Sequence, residues 1–588
     1  MATPTRSRRH PRARVLDGGP IRRGAPRDTV QARLPDGRIY DAPPGTPVGD
    51  ILDVATRETR RRAAVPVVAA IISGRLRELH TPLTHDADVT PILMTDPDGA
   101  RIHRRSLAFL LVTAAAEVFP EAEVIVQHSV PTVGAYFCAV RGRVPFSPGD
   151  LATLEERMRH IVELNESIVR SMTSVPSAIQ LFTDRGEGDK ARLLAHRQKG
   201  QVALHELRGR RDHFQGYMVS STGCLRDFAL EWFRDGFLLR FPHQTTPFEV
   251  TPVDPYPKLL ETLTEAGEWL DTLGIRSAGA LNDAILQGRL PEISLVAEAL
   301  HEGRVARIAA EIAALGPRIR VVLVAGPSAS GKTTFAKRLA VQLLAHGRRP
   351  FPLTLDDYFL DREHTPLDAE GDRDFESLQA LDVALFNENL LALMSGAAVQ
   401  LPRYSFLHGR REAGQTVALS VDHIVIIEGI HGLNPALVPE LPAESIYRVY
   451  VSALTQLNLD RHNRVSTADS RLLRRVVRDA ATRGYGAADT IKRWPSVQRG
   501  EKQHIFPYQE HGDALFNSSL VHELAVIRSL AEPLLLQVRP ETPEFLEANR
   551  LLSFLTWFRS ADPGPVPDNS ILREFIGRSI LESFRLWP

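Results

Sequence analysis

The chain has 588 residues, 43% of them hydrophobic, and its 71 basic residues balance its 71 acidic ones. This length exceeds one ordinary domain, so we expect several folded units. The neutral charge balance argues against polyanion binding over the whole surface. The two cysteines, Cys138 and Cys224, lack the spacing of a disulfide framework or a zinc site. The longest apolar run, 107–116, is too short to span a bilayer, so we expect a cytoplasmic protein with no membrane partner.

The first 27 residues form a basic segment. Residues 1–27 carry eight arginines against one acid, Asp17, among prolines and glycines. This composition predicts a disordered basic tail. A mitochondrial transit peptide is the alternative interpretation, and the proline and glycine content argues against the amphipathic helix that it requires.

Residues 28–98 are predicted to form a small β-rich domain. Two short apolar runs flank a turn at Pro35-Asp-Gly37, helical spacing covers 48–61, and strand-like runs cover 65–72 and 89–94. The segment resembles the TGS domain of threonyl-tRNA synthetases. The matching motifs are Leu34-Pro-Asp-Gly-Arg38, Pro44-Gly-Thr46 and Gly74-Arg-Leu-Arg-Glu-Leu79. The resemblance implies a ubiquitin-like β-grasp fold.

Residues 99–245 resemble the α+β editing domain of the same synthetases. In that family an Arg-His-Ser-x-x-His motif and a Cys-x-x-x-His motif supply the site that clears mischarged tRNA. Here the four functional positions hold Arg105, Phe109, Phe214 and Met218. None of these side chains replaces imidazole or thiolate as a ligand or a proton carrier at neutral pH. We therefore expect a non-catalytic domain with a binding or a structural role.

Two further segments carry helical patterns. Apolar spacing within 246–313 predicts a helical connector between the front and the back of the chain. The C-terminal segment, 536–588, is also predicted to be helical, with a break at 563–567 where three prolines lie close together.

The most specific motif is a phosphate-binding loop. A β-branched run, 318–325, precedes a complete G-x-x-x-x-G-K-T pattern, and helical spacing follows it. Glycines let backbone N–H groups turn toward phosphates, the lysine reaches the β- and γ-phosphates, and the first threonine hydroxyl binds Mg²⁺. We expect ATP as donor and Mg²⁺ as cofactor. The predicted ATP-binding residues are Gly326, Pro327, Ser328, Ala329, Ser330, Gly331, Lys332, Thr333 and Thr334.

Carboxylates end two of the following strand-like runs. Asp356 and Asp357 follow 351–355, and Glu428 ends 423–428. Ligands of parallel sheets bind at the carboxyl ends of strands, so these acids are expected near the phosphates. One aspartate can take the proton of an acceptor hydroxyl, and Glu428 together with Thr333 can hold Mg²⁺.

Residues 314–535 resemble the uridine kinase and phosphoribulokinase family, which implies a P-loop α/β domain with a parallel sheet. The matching motifs are Ala325-Gly-Pro-Ser-Ala-Ser-Gly-Lys-Thr-Thr334, Asp356-Asp-Tyr-Phe359, Tyr404-Ser-Phe406, Glu428-Gly429 and Arg471-Leu-Leu-Arg-Arg-Val-Val-Arg-Asp479. The resemblance points to Asp356 ahead of Asp357 as base, and a shift of one residue would exchange them. Its implied substrate contacts are Tyr358, Glu376, Tyr404, Phe406, His408 and Arg410.

The arginines of residues 469–479 recur at spacings of three and four, which places them on one helix face. A solvated face is the ordinary interpretation. The family resemblance favours a lid that closes over the triphosphate, and Arg474 and Arg478 are the predicted lid residues.

The sequence therefore predicts an ATP-dependent nucleoside kinase that phosphorylates a ribose 5'-hydroxyl. One alternative is a nucleotide-dependent regulatory protein that binds RNA or tRNA through the front domains. Another is a kinase for a different acceptor, such as a sugar phosphate. Kinases of the resembled family are oligomers, so a homo-oligomer is expected.

Overall fold

The fold is described from a computed structural model, which covers residues 27–58, 65–130, 134–143, 145–242, 246–250 and 256–584. The predicted basic tail lies outside these residues except for Arg27. Within the described ranges, no helix combines the length and the hydropathy that a membrane crossing requires. The apolar run at 107–116 instead lies in a buried helix of the front half.

The first unit is a mixed sheet crossed by one helix. Its elements are β1 (Val30–Arg33), β2 (Ile39–Ala42), β3 (Thr46–Pro47), α1 (Val48–Glu58), β4 (Val67–Ile72), β5 (Arg75–Arg77), β6 (Pro82–Leu83) and β7 (Ala87–Leu93). The strand order is β2-β1-β7-β4-β5, and only the β1–β7 pairing is parallel. This is the β-grasp arrangement that the sequence predicted. Helix α1 covers the sheet because Val48, Ile51, Leu52 and Ala55 share one buried face.

The second unit combines helices with two antiparallel sheets. Its elements are α2 (Pro97–Val118), β8 (Glu123–Val130), β9 (Ala135–Arg141), α3 (Pro148–Leu164), β10 (Val169–Ser174), α4 (Val175–Asp184), α5 (Gly188–Ala195), β11 (Gln201–Leu207), β12 (Arg210–Asp212), β13 (Ala229–Phe233) and β14 (Gly236–Arg240). The sheet orders are β10-β11-β12 and β13-β14-β9-β8. Helix α2 is buried along most of its length between this unit and the first.

Three helices lie in the segment between the front of the chain and the back. They are α6 (Pro257–Leu273), α7 (Ala278–Leu286) and α8 (Leu290–Ala314). Their apolar faces enter the core of the C-terminal domain, where Ile308 and Ile312 of α8 pack in one cluster with Phe335 and Leu339. The connector is therefore part of the packed structure of the back half.

The C-terminal domain is built on a five-stranded parallel sheet. Its elements up to the last strand are β15 (Val321–Ala325), α9 (Lys332–Ala345), β16 (Arg349–Thr354), α10 (Val383–Met394), β17 (Val399–Ser405), β18 (Arg410–Val417), β19 (His423–Glu428), β20 (Ile446–Ser452), α11 (Thr467–Arg478), α12 (Ala487–His504) and β21 (Ala514–Asn517). The strand order is β16-β19-β15-β20-β21, and every pairing in it is parallel. Strand β15 is apolar throughout, and β19 is apolar between His423 and Glu428 at its ends, because both faces of a parallel sheet are covered.

The last part of the chain folds back onto this domain. It contributes α13 (Glu523–Leu535), α14 (Glu544–Leu555) and the short α15 (Arg573–Ile576). Ile571, Leu572 and Phe575 are buried in the same cluster as helices α9 and α11. The predicted break at the proline-rich 563–567 separates α14 from α15.

The loop between β20 and α11 joins the domain to the second unit. Arg461 pairs with Asp189 over 2.7 Å, and Asn463 hydrogen-bonds the carbonyl of His213 over 2.9 Å. His462 lies 3.2 Å from Asp212, which is also ion-paired with Lys190. The front and back halves of the chain thus share a buried polar interface.

Candidate active site

The phosphate-binding loop connects β15 to α9 and has the backbone that anion binding requires. Gly331 (φ 89°) and Ala329 (φ 58°) both have left-handed backbone angles. A side chain on Gly326 would collide with the carbonyl oxygen of Val451, so glycine is required there. The first N–H groups of α9 have no acceptor within the helix, and such groups can bind an anion. The ammonium of Lys332 donates to the carbonyl of Pro327 over 3.1 Å and is buried beside the loop.

The loop and the neighbouring strand meet at a pair of oxygen ligands. Thr333 donates its hydroxyl to Glu428 over 3.1 Å, and Glu428 ends β19 beside Thr354 of β16. Burial, and then the nearby charge of Asp356, raise the pKa of Glu428 to about 7. A buried carboxylate beside an exposed hydroxyl, with a second acid nearby, forms a donor set that suits Mg²⁺. Thr333 and Glu428 would hold that ion, which would neutralise phosphate charge.

The two aspartates after β16 differ in their surroundings. Asp357 accepts the backbone N–H of Tyr404 over 3.0 Å, and burial raises its pKa to about 6. Asp356 lies near enough to Glu428 and Glu376 to raise the pKa of both. Asp356 therefore lies within electrostatic reach of both Glu428 and Glu376, whereas Asp357 is bonded to the β17 backbone.

Glu376 lies in this acidic region and is almost fully buried. Burial, and then the charge of Glu501, raise its pKa to about 7. Its Oε2 has no hydrogen-bond partner among the described residues. A buried carboxyl oxygen without a partner is costly unless a ligand supplies a donor.

The residues expected to bind a substrate base are only partly brought together. The rings of Tyr404 and Phe406 lie 5.2 Å apart with an edge-to-face angle of 76°. His408 and Arg410 are exposed on the turn that joins β17 to β18. Tyr358 does not fit the expectation, because it is fully buried and packs edge-to-face on Phe386 in the core. The sequence places Tyr358 directly after the two aspartates, but this position does not reveal that its side chain points into the core.

Helix α11 also departs from the expectation of a free lid. The guanidinium of Arg474 is fully buried, pairs with Glu523 over 2.5 Å and donates to the Ser518 carbonyl over 2.9 Å. Arg478 pairs with Asp479 over 2.8 Å. Arg474 therefore cannot close over a triphosphate from this position, because its guanidinium is held in the core beneath the loop.

Other residues of the same helix contact the loop directly. Arg471 donates to the Ser328 carbonyl over 3.0 Å, and Arg475 donates to the Ser328 hydroxyl over 2.8 Å. Glu501 of α12 accepts the Ser328 N–H over 2.9 Å and pairs with Arg471. The spacing of Arg471 and Arg475 by four residues was visible in the sequence. The contribution of Glu501 was not, because it lies in no recognised motif.

The four altered editing positions come together in the second unit. The rings of Phe109 and Phe214 lie 5.3 Å apart, and the Ser106 hydroxyl lies 3.4 Å from the sulfur of Met218. Arg105 donates to the Tyr217 carbonyl over 2.6 Å, and burial lowers its pKa to about 10. Across the described residues, no group of three or more His, Cys, Asp and Glu side chains is arranged to hold a metal ion. The non-catalytic interpretation stays a prediction.

The C-terminal region is similar to a known family. Residues 321–525 match the model of the phosphoribulokinase / uridine kinase family. A structure described as a possible uridine kinase from Bacillus stearothermophilus aligns with 34% of this chain and 89% of its own, at 18% identity and a TM-score of 0.24.

The N-terminal region is similar to threonine–tRNA ligases. The ligase of Nitrosomonas eutropha is 35% identical over 201 residues, which is 34% of this chain and 30% of that protein. The ligase of Geobacillus kaustophilus is 28% identical over 247 residues, 40% of this chain and 37% of that protein. The chain thus spans about a third of the length of these relatives, and its ligase-like front precedes the region that matches the phosphoribulokinase / uridine kinase family.

Proposed function

We propose that this protein is an ATP-dependent kinase that transfers a phosphoryl group to a hydroxyl of a small acceptor, with a nucleoside as the leading candidate. In this scheme Lys332 and the loop N–H groups bind the donor phosphates, and Thr333 and Glu428 bind Mg²⁺. Asp356 takes the proton of the acceptor hydroxyl. Glu376 accepts hydrogen bonds from the sugar, and Tyr404 and Phe406 offer an aromatic surface to the base.

One observation carries the proposal. Thr333 donates its hydroxyl to Glu428, and burial of Glu428 together with the nearby charge of Asp356 raises the pKa of Glu428. Carboxylates in a buried cluster repel one another, which costs stability unless a cation or a proton compensates. A phosphoryl-transfer site needs this combination of an anion cradle, a metal site and a base at one edge of a sheet.

A phosphorylated acceptor is the second candidate, because arginines surround the aromatic pair. Arg483 lies 4.3 Å from the centre of the Phe406 ring, and Arg362 donates to the Phe406 carbonyl over 2.8 Å. Arg362 also approaches the hydroxyl of Tyr485, whose ring lies 4.4 Å from Arg493. Within the described residues neither Arg362 nor Arg493 is paired with a carboxylate. Unpaired cations of this kind favour an anionic group on the acceptor.

Product identification separates the two candidates. The full-length protein is incubated with Mg·ATP and either pyrimidine nucleosides or pentose phosphates, and the products are identified by mass spectrometry. A phosphorylated nucleoside supports the leading candidate, and a sugar bisphosphate supports the second. The Arg493→Met variant, which removes an arginine that does not contact Tyr404 or Phe406 within the described residues, should impair the second reaction more than the first. No phosphorylated product from either set would contradict the proposal.

A further inference from the structure

Residues 571–577, called the C-terminal strap below, lie against the phosphate-binding loop although they fall outside the region that matches the kinase family. The Glu574 carboxylate accepts the backbone N–H of Thr334 over 3.1 Å and the hydroxyl of the same residue over 2.9 Å. A carboxylate of the chain therefore binds the first turn of α9.

That N–H group belongs to the set of donors that phosphates use. The first hydrogen bond within α9 runs from the N–H of Phe335 to the carbonyl of Gly331, so the preceding N–H groups have no partner inside the helix. Anions are attracted to this end by the free donors and by the helix dipole. Glu574 satisfies one of the donors and places a negative charge beside the position of incoming phosphates.

The rest of the strap fixes this carboxylate in place. A Cβ atom on Gly331 would lie 2.5 Å from the Cγ2 atom of Ile571, so the strap packs directly on the loop. Phe575 is buried beneath the guanidinium of Arg474 at 5.0 Å. The ammonium of Lys337 in α9 donates to the carbonyl of Leu581 over 2.8 Å, just beyond the strap. Glu574 also lies near enough to Glu428 to contribute to its raised pKa.

We propose that Glu574 is an internal competitor of the donor nucleotide, which occupies a phosphate-binding donor of the loop and sets the affinity of the site for ATP. The inference rests on the proposed function, because it assumes that the loop binds a nucleotide. A phosphate oxygen and the Glu574 carboxylate cannot share the Thr334 N–H, and their charges repel. ATP binding therefore requires the carboxylate to move away, and any condition that loosens the strap raises the affinity for ATP.

The experiment compares Mg·ATP binding to the full-length wild type with binding to Glu574→Ala, Glu574→Gln and the control Glu582→Gln. Glu582 is exposed and lies five residues beyond the strap. Calorimetry should give a Kd about five- to tenfold lower for Glu574→Ala, a lower Kd for Glu574→Gln, and no change for the control. Hydrogen exchange in peptides covering 571–577 of the wild type should rise when Mg·ATP is added.

The possible outcomes separate this inference from the proposed function. Equal Kd values in all four proteins would overturn the competition, and so would a higher Kd in both Glu574 variants. Unchanged exchange in the strap at saturating Mg·ATP would also overturn it. Failure of all four folded proteins to bind Mg·ATP would overturn the proposed function itself.

Discussion

The hydroxyl of Thr333 donates to the Oε1 atom of Glu428 over 3.1 Å and joins the start of α9 to the end of β19. The two residues lie close together because Thr333 follows β15, Glu428 ends β19, and these strands pair in parallel from Val321 to Val324. The contact places an oxygen donor from the loop and a carboxylate from the sheet at one point. Both are ligands that Mg²⁺ prefers.

Asp356→Asn tests the role of the base. We expect turnover to fall by about a thousandfold, because the amide cannot take a proton, while ATP affinity changes by less than about twofold. Steady-state kinetics and nucleotide titration measure the two quantities. Asp422→Asn, at an exposed position before β19, is the control. If Asp357→Asn rather than Asp356→Asn abolishes turnover, the roles of the two aspartates are exchanged.

The raised pKa values of the acidic cluster predict a pH dependence. Glu376 and Glu428 both titrate at about 7, and only their ionised forms can accept a sugar hydroxyl or bind a metal. Turnover at saturating Mg·ATP should therefore rise between about pH 6 and pH 8. Because Mg²⁺ favours the ionised form of Glu428, excess Mg²⁺ should shift the increase in turnover that Glu428 causes to lower pH. A flat profile over this range would contradict the assignment.

Glu376 and Glu428 also affect stability, which should fall with rising pH where turnover rises. Their pKa values in the folded chain exceed the ordinary value of 4.5, so the folded chain binds more protons than the unfolded chain near neutral pH. The free energy of unfolding should therefore fall as pH rises from about 5 to 8 through these groups. In thermal denaturation scans, the melting temperature of the Glu376→Gln variant should decrease less over this pH range than that of the wild type. An equal decrease would be inconsistent with a buried charge at position 376.

Glu501→Gln tests whether the carboxylate positions the phosphate-binding loop. Glu501 holds the Ser328 N–H and neutralises Arg471, and its charge also raises the pKa of Glu376. We expect the KM for ATP to rise about tenfold and the acidic limb of the pH profile to move to lower pH. A purely structural role would leave the limb in place. The exposed Glu444 provides the control variant Glu444→Gln.

The interface between the two halves is sensitive to loss of Lys190. The ammonium of Lys190 is fully buried against Asp212. Burial opposes ionisation of Asp212, but the charges of Lys190 and His462 hold its pKa well below the ordinary value. Lys190→Met leaves a buried carboxylate without its main partner and should cost about 3 kcal/mol. Denaturant unfolding against the exposed control Lys199→Met measures the loss. Equal stability of the two variants would show that the Lys190–Asp212 pair does not stabilise the second unit.

Local patterns were sufficient to predict the architecture and the donor site. The apolar run of β15, the glycines of the loop and the helix that follows are contiguous, so Lys332 and Thr333 could be placed from sequence spacing. Glu428 could be placed because a strand ends there, and parallel strands end at one edge. The β-grasp unit was predicted for the same reason, since its turn residues and strands follow one another directly along the chain.

Side-chain direction and distant contacts could not be predicted in this way. Tyr358 follows two exposed or half-buried acids but turns into the core, because a short 3₁₀ turn rotates it away from the site. Arg474 lies on a helix face that carries both basic and apolar residues, and the partner Glu523 that buries it lies 49 positions later. Glu574 contacts Thr334 across 240 positions, and no motif marks that carboxylate.

The central claim is tested most directly by ADP release from Mg·ATP with a panel of nucleosides and sugar phosphates, measured for wild type, Lys332→Ala and the control Lys199→Ala. We expect acceptor-dependent release in the wild type and in the control, and a loss of at least about a hundredfold in Lys332→Ala. Release that does not depend on any acceptor, or equal rates in wild type and Lys332→Ala, would contradict a kinase that uses this loop.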